Sequence, residues 1–250
     1  MHAPNSPDGS VYDVSIIGGG VAGRTAAMFT ARHGMQTCII DAGGSLLRRN
    51  AHLENVPGFP AGVNPRHFLD LLGEQTKEAG CEWHEGRVSA VFPTDAGFAI
   101  QTAADEHFHA GTVVVATKND VSFLNEIEGI GIIDRGKTFL DVDERGRTGV
   151  EGIYAAGRVA EKPHQAAVCA GHGAEVAVTI LEDDNRPFYH DWVAPAGYFS
   201  ERGRDVPPGC EEIDAAESTK REEDSLEVMQ SRFADPHPDK QETHPSLNGE

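Results

Sequence analysis

Basic residues are scarce in this chain of 250 residues, which carries 21 lysines and arginines against 40 aspartates and glutamates, a formal net charge of -19. Binding to nucleic acid needs clustered basic side chains for phosphate contacts, and the sequence contains no such cluster, so this function class is excluded. An acidic, lysine-poor surface keeps a protein soluble in concentrated salt. We therefore expect a halophilic protein, with an ordinary acidic protein as the alternative.

Cysteines are few and long apolar runs are missing. Cys38, Cys81, Cys169 and Cys210 lie far apart and form no C-x-x-C, which argues against a disulfide framework and a zinc ribbon. The histidines show no metal-binding spacing, so no metal site is predicted. No apolar run reaches the length of a membrane span, and residues 1–10 are polar, unlike a signal peptide. We expect a cytoplasmic protein without membrane contact. Residues 1–10 are predicted to form a flexible N-terminus.

The most informative stretch is residues 11–33, which reads as strand, glycine turn and helix. Residues 11–17 are apolar and β-branched, which is typical of a strand buried on both faces. The motif G-x-G-x-x-G follows at Gly18, Gly20 and Gly23. In this motif the first glycine allows the tight turn, the second lets a pyrophosphate approach, and the third lets helix and strand pack closely. The N-terminus of the helix would then face the phosphates.

A second predicted strand, residues 36–40, ends at Asp41, an acid placed to hold a ribose hydroxyl. Strand, helix and acid together favour a dinucleotide site over the alternative, a glycine-rich turn without a ligand. The acid disfavours a 2′-phosphate, so FAD or NAD fits better than NADP. The predicted fold class is α/β: a Rossmann-like nucleotide-binding domain with a central parallel sheet, flanking helices and an antiparallel β-meander.

The middle of the chain supplies the rest of this domain. Residues 42–65 form a long irregular stretch, which is either an ordered surface loop or a cover for a ligand. A helix is predicted from Pro65 to about Ala79. Three alternating segments predict the antiparallel meander: residues 87–92, 97–102 and 106–110.

Two more buried strands and a helix are predicted after the meander. Residues 112–116 form a strand that returns to the parallel sheet, and residues 152–157 form another that ends in glycine. Residues 118–134 suit a short helix. A long helix is predicted from Pro163 to about Glu182, with a face of small residues that allows close backbone approach.

The chain changes character at residue 185, so residues 185–250 are predicted to be an acidic C-terminal extension. Residues 211–233 suit a strongly charged helix with a narrow apolar stripe, which would dock on its own domain or on a partner. The polar residues 234–250 are predicted to be disordered.

Four segments, in this order, resemble the FAD domain of the thioredoxin-reductase-like flavoproteins. They are IIGGGVAG at residues 16–23, ENVPGFP at 54–60, TVVVAT at 112–117 and GIYAAGR at 152–158. The resemblance covers roughly residues 11–184 and implies FAD bound in an extended form across the sheet. The cofactor-binding residues it implies are Gly18, Gly20, Val21, Ala22, Gly23, Asp41, Ala42, Asn55, Val88, Ala116, Thr117, Gly157, Arg158, His164, Gln165 and Ala166.

By this resemblance Asp41 would bind the adenosine ribose, and Asn55 would lie near the flavin. The helix opening at His164 would point its positive end at the pyrimidine edge of the flavin and stabilise negative charge on the reduced ring. His164 itself is open to two interpretations, a proton donor or an ordinary capping histidine. Cys169 is likewise either a thiol near the ring or a small packing residue. No catalytic residue is assigned.

The chain also departs from the family. Members normally carry an inserted NAD(P)H-binding domain with a redox-active C-x-x-C, but only about 35 residues separate Thr117 from the segment ending at Gly157. In the FAD motifs, Lys118 stands where the family has glycine, and Arg158 stands where it has aspartate. Arg158 cannot accept a hydrogen bond from a ribityl hydroxyl, but it can donate to a phosphate.

Two functions follow as hypotheses. The first is an FAD-dependent oxidoreductase without dithiol activity, whose electrons come from an external donor, either NAD(P)H or a redox protein. The second is a non-catalytic FAD- or dinucleotide-binding module that acts as a redox sensor or partner subunit. The resemblance also implies a homodimer. Serine hydrolysis and P-loop chemistry are excluded because Gly-x-Ser-x-Gly and a Walker ending are absent.

Overall fold

The computed structural model describes residues 8–247 and divides them into two compact units, residues 8–180 with 241–247, and residues 181–240. The first unit opens with the predicted strand, turn and helix: β1 (Asp8–Ile17), α1 (Val21–Arg32) and β2 (Thr37–Asp41). Gly34 follows α1 with φ of 86°, a conformation that favours glycine and ends the helix. Strand β1 begins at Asp8, within the range 1–10 for which a flexible N-terminus is expected; residues 1–7 lie outside the described part.

A seven-stranded sheet forms the centre of the first unit. Besides β1 and β2 it contains β3 (Glu82–Glu85), β4 (Val88–Thr94), β5 (Gly97–Thr102), β6 (His107–Val115) and β9 (Ile153–Ala155). The strand order is β3-β2-β1-β6-β5-β4, with β9 also paired to β6. Strands β1, β2, β3, β6 and β9 pair in parallel, whereas β4, β5 and the first half of β6 pair antiparallel. The predicted α/β fold with a parallel sheet and a meander is confirmed.

Two strands differ from the prediction. The third meander segment and the strand at residues 112–116 are one continuous strand, β6, because its first half pairs with β5 and its second half pairs with β9 on the same side. Strand β3 was not predicted at all. Its sequence Glu-Trp-His-Glu has exposed acids at both ends and lies at the sheet edge, so it shows no apolar run.

Helices cover the sheet. Helix α2 (Pro65–Glu78) starts as predicted, with the Asn64 side chain accepting a hydrogen bond from the Arg66 N–H and proline at the first position. Helix α3 (Ala166–Asp183) begins three residues later than predicted. The Pro163 carbonyl accepts from the Gln165 N–H at 2.8 Å in a tight turn, and so Pro163 precedes the helix.

Residues 117–156 connect β6 to β9 by a short path. They contain one 3₁₀ turn (Ser122–Leu124) and an antiparallel hairpin of β7 (Ile132–Asp134) and β8 (Thr138–Leu140). The short helix predicted within residues 118–134 is thus only a single 3₁₀ turn. Phe123, Leu124 and Ile127 are nevertheless buried, in the cluster that contains Val113 and Val115. Burial of these side chains stabilises the connection.

The second unit contains strands β10 (Trp192–Pro195) and β11 (Cys210–Ile213), which pair in parallel, and helix α4 (Ala215–Arg232). The sequence indicated neither strand, but it did predict the helix. Helix α4 is capped by Asp214, whose side chain accepts from the Glu217 N–H, and it has no buried residue.

The end of the described chain returns to the first unit. The Glu242 N–H donates to the Arg48 carbonyl, and the Gln241 side chain donates to the Arg49 carbonyl. Disorder was expected over residues 234–250, of which 248–250 lie outside the described part. Within residues 8–247, no helix is long and apolar enough to cross a membrane.

Candidate cofactor-binding site

A cavity of about 240 Å³ opens where the carboxyl ends of β1, β2, β6 and β9 meet. This edge of a parallel sheet is where open α/β folds bind their ligands. The cavity is lined by all of the predicted cofactor-binding residues except Gly23, Asn55 and Gly157. The predicted residues that line it are Gly18, Gly20, Val21, Ala22, Asp41, Ala42, Val88, Ala116, Thr117, Arg158, His164, Gln165 and Ala166.

The three motif glycines have different roles in the structure. Gly18 has φ of 112°, and a Cβ there would lie 2.7 Å from the Ala116 carbonyl oxygen. A Cβ on Gly23 would collide with the Gly18 carbonyl oxygen, so this glycine allows α1 to pack against the turn. A Cβ on Gly20 would meet nothing within 4 Å. Gly18 and Gly23 therefore form the turn, whereas Gly20 keeps open space at the start of the helix.

The first turn of α1 is arranged to bind an anion. Its N-cap is Gly20, which offers no side-chain acceptor, and Gly20, Val21 and Ala22 all line the cavity. The first N–H groups of a helix have no partner within the helix, and they carry its positive end. An uncapped helix start on an open cavity fits the phosphate groups of a dinucleotide.

Asp41 ends β2 beside the glycine turn. One carboxylate oxygen accepts from the Gly19 N–H at 2.9 Å, and the other accepts no hydrogen bond from the described residues. The Arg24 side chain donates to the Gly19 carbonyl at 2.8 Å and stacks over Trp83, with 4.7 Å from the guanidinium carbon to the ring centre. The turn is therefore fixed on both sides, and Asp41 keeps an oxygen for a ribose hydroxyl.

Asn55 does not itself line the cavity, although the resemblance implies that it lies near the flavin. Its side-chain amide donates to the Gln165 carbonyl oxygen at 2.8 Å. The loop that carries Asn55 is anchored by Leu53 and Val56, which pack in one buried cluster with Ala166. Asn55 thus orients Gln165 at the start of α3, and Gln165 lines the cavity.

Gly157 also acts from behind the cavity wall. Its N–H donates to His172 Nδ1 at 2.9 Å, and a Cβ on Gly157 would lie 2.8 Å from the Ala22 Cβ. His172 has an exposed fraction of 4%, and burial lowers its pKa, with Lys162 acting in the same direction. The neutral imidazole therefore accepts this bond and holds the 3₁₀ turn Gly157–Ala160, which carries Arg158. No sequence motif indicates this role of His172.

Part of the cavity wall consists of residues that were not predicted to bind the cofactor. The loop after Asp41 contributes several of these residues. Its position directly after Asp41 in the sequence is the one feature that could have predicted this. Cys169 lines the cavity, and burial raises the pKa of its thiol. His164 lines it as an exposed side chain. The further lining residues are Ile17, Gly19, Ile40, Gly43, Ser45, Leu46, Leu47, Gly86, Arg87, Lys118, Asp120, Phe123 and Ala156.

The fold and the site together define a dinucleotide-binding α/β domain. Residues 12–130 match the family described as pyridine nucleotide-disulphide oxidoreductase. The chain is 37% identical over 114 residues to a thioredoxin reductase of Aquifex aeolicus, a match that covers 44% of this chain and 35% of the relative. It is 34% identical over 109 residues to the thioredoxin reductase of Listeria innocua, covering 43% and 34%.

Solved structures agree on the fold. A thioredoxin reductase from Gloeobacter violaceus superposes with a TM-score of 0.59 at 18% identity, covering 68% of this chain and 94% of that one. The thioredoxin reductase from Streptococcus pyogenes superposes with a TM-score of 0.63 at 15% identity, and the match covers 69% of this chain and 98% of that one. At such identities the likeness shows the fold alone.

Over residues 12–130 the chain is similar to the pyridine nucleotide-disulphide oxidoreductase family, and it is thioredoxin-reductase-like. The predicted resemblance is therefore confirmed, and FAD, the predicted cofactor, is the cofactor of this family. The sequence match spans about a third of the length of these curated relatives. The uncapped start of α1, the open space at Gly20 and the free oxygen of Asp41 fit an FAD adenosine diphosphate.

Proposed function

We propose that this chain binds FAD in the cavity at the sheet edge and acts as an FAD-dependent oxidoreductase. The observation that carries the proposal is that one cavity joins the uncapped start of α1, the acid Asp41 and the start of α3. The family match over residues 12–130 supports the same cofactor. Bound FAD would supply the electron-transfer chemistry.

Each part of the cavity has a role in holding FAD. The N–H groups at Gly20, Val21 and Ala22 would bind the pyrophosphate, because they lie at the positive end of α1. The free oxygen of Asp41 would accept a hydrogen bond from a ribose hydroxyl. Both contacts come from groups that the protein already holds in place, which lowers the entropy lost on binding.

The start of α3 would act on the flavin. Ala166 is its first residue, and both Gln165 and Ala166 line the cavity. The positive end of this helix would favour negative charge on the reduced ring. Asn55 holds the Gln165 side chain through its amide, so the loop at residues 54–60 would position this contact. Cys169 would stay a protonated thiol, because burial raises its pKa.

The reductant would come from outside the described residues. Residues 117–156 contain only a 3₁₀ turn and a two-stranded hairpin, without a second parallel sheet. The sequence also has no C-x-x-C to relay electrons to a protein disulfide. We therefore propose a donor that docks at the flavin, either a nicotinamide or another redox protein. The homodimer, the cytoplasmic location and the salt adaptation stay predictions.

The experiment is anaerobic reduction of the reconstituted protein. The chain is loaded with FAD in concentrated salt and freed of excess cofactor by dialysis. It is then mixed separately with NADH, with NADPH and with a reduced redox protein while the flavin absorbance is recorded. Retained flavin that bleaches supports an oxidoreductase with a nicotinamide donor. Retained flavin that bleaches only with a reduced redox protein supports the second kind of donor. Absence of retained flavin contradicts the proposal, and retained flavin that no donor bleaches favours the sensor or partner-subunit alternative.

A further inference from the structure

The cavity concentrates positive charge in a strongly acidic protein. The chain has a formal net charge of -19, yet three of the charged residues that line the cavity are basic: Arg87, Lys118 and Arg158. Arg87 pairs with Asp120, another lining residue, at 3.4 Å. Asp41 is partly engaged by the Gly19 N–H. Lys118 and Arg158 therefore line the cavity as cations without an ion-pair partner among residues 8–247. We call these two residues the cation wall.

Neither member of the cation wall is satisfied by a carboxylate. The Lys118 ammonium donates to the Gly44 carbonyl at 2.6 Å, which leaves two of its three donors for a ligand. The Arg158 guanidinium makes no hydrogen bond or ion pair within the described residues. Arginine presents five donors in a planar fork that matches phosphate oxygens. Both side chains thus have donors available on the cavity.

The two cations are close enough to affect each other. Burial lowers the pKa of Lys118, with Arg49 and Arg158 acting in the same direction, whereas Glu242 and Asp41 act to raise it. The Nε atom of Arg49 is buried without a hydrogen-bond partner among the described residues. Like charges that influence one another without full compensation are unfavourable, and an anion placed between them would remove this cost.

The backbone places both cations beside the glycine turn. Lys118 follows Ala116, whose carbonyl would lie 2.7 Å from a Cβ on Gly18. Arg158 follows Gly157, which packs against Ala22 in the first turn of α1 and is held by His172. We call residues 18–23 the glycine wall. The N–H groups of the glycine wall and the side chains of the cation wall therefore flank the same space.

We propose that Lys118 and Arg158 form, with the first turn of α1, a two-sided site for the diphosphate of the bound nucleotide. The inference rests on the proposed function and deepens it. The charge of the diphosphate, more than the flavin ring, would then decide which ligand is held. The site would accept adenosine diphosphate alone and would discriminate against flavins without a diphosphate.

The test compares FAD, ADP and riboflavin as probes of the full chain at one ionic strength. Lys118→Ala and Arg158→Ala should each weaken binding of FAD and of ADP about tenfold, because each removes charge-assisted hydrogen bonds. Arg158→Lys should retain most of the affinity, and riboflavin should bind weakly to every variant. The surface substitutions Lys77→Ala and Arg204→Ala, which remove the same charges elsewhere, should leave affinities within about twofold.

The melting temperature of the ligand-free variants separates an effect on binding from an effect on folding. If Lys118 or Arg158 had a structural role, its substitution would lower this melting temperature and would not selectively weaken the binding of ligands with a diphosphate. Neutral variants that bind FAD and ADP like wild type would overturn the inference while leaving the proposed function intact. Tighter FAD binding by Arg158→Asp would overturn it as well. Binding of ADP that depends on both cations, without binding of FAD, would support the inference and contradict the proposed function.

Discussion

The two walls of the cavity are built in different ways. The glycine wall is set by backbone packing, since a single Cβ at Gly23 would collide with the Gly18 carbonyl oxygen. The cation wall consists of two side chains whose charged groups make one hydrogen bond among the described residues, from Lys118 to the Gly44 carbonyl. A substitution of a closely packed glycine in the first wall, such as Gly23, should therefore disturb folding and binding together. A substitution in the second should disturb binding alone.

The largest effect is expected at Gly23. Gly23→Ala should lower the free energy of unfolding by about 3 kcal/mol, because the added methyl meets backbone rather than a movable side chain. Retained flavin should be lost with it. Gly20→Ala is the matched control in the same turn, because a Cβ there meets nothing within 4 Å. It should cost at most about 1 kcal/mol in urea denaturation while weakening FAD binding. Equal stability of the two variants would contradict the packing role assigned to Gly23.

A second pair of glycines on α3 tests the support behind the glycine wall. A Cβ on Gly173 would collide with the Ala22 carbonyl oxygen, whereas one on Gly171 would meet nothing within 4 Å. Gly173→Ala should therefore destabilise the protein by about 2 kcal/mol. Gly171→Ala should stabilise it by about 0.5–1 kcal/mol, because alanine is the better helix former. Urea denaturation measures both changes in stability. Two substitutions that act in the same direction would contradict the close packing of Gly173 on Ala22.

The stability of the 3₁₀ turn that carries Arg158 should depend on pH, because His172 holds this turn through the Gly157 N–H. Burial lowers its pKa, so the folded protein keeps the neutral imidazole that accepts the Gly157 N–H. In the unfolded chain the group binds a proton below pH of about 6.5, so stability is present above this pH and is lost as the pH falls further. The urea midpoint of wild type should fall between pH 7.5 and 5.5 more than that of His172→Gln. Parallel pH profiles would contradict this role.

The smallest effect on FAD affinity is expected from a substitution in the second unit, at Glu212. Glu212 accepts hydrogen bonds from the Ser200 hydroxyl and from the N–H groups of Gly197, Phe199 and Ser200, which lowers its pKa to about 2. Its contribution to stability is present above its ordinary pKa and is lost as the pH falls through about 2. Glu212→Gln should increase amide exchange at residues 197–200 and leave FAD affinity unchanged. A loss of FAD affinity would show that the cavity depends on this loop.

The glycine wall could be predicted from sequence because its chemistry is local. The spacing of Gly18, Gly20 and Gly23, the strand before them and Asp41 after β2 lie within about 30 residues and follow one rule. The start of α3 was predicted too early, since the turn that occupies the Pro163 carbonyl depends on the fold. Strand β3 was missed because an edge strand with acids at its ends carries no apolar pattern.

The cation wall could be predicted only in part. Lys118 and Arg158 stood out as departures from the family motifs, but their sequence positions say nothing of a shared cavity. Their convergence depends on the parallel pairing of β6 with β9, which brings two segments about 40 residues apart to one edge. Asn55 holds the Gln165 side chain, and His172 holds the Gly157 N–H, by hydrogen bonds between residues far apart in sequence. These two contacts likewise become visible only in the folded structure.

The most direct test of the central claim is a fluorescence titration of the ligand-free protein with FAD. Trp83 packs against the glycine turn beside Gly19, and the chain contains two tryptophans, so binding should quench its emission. We predict saturation at one FAD per chain with a Kd of about 1 μM or tighter, and displacement of FAD by ADP. Emission that does not saturate, or that ADP does not restore, would contradict a dinucleotide site built on the glycine wall.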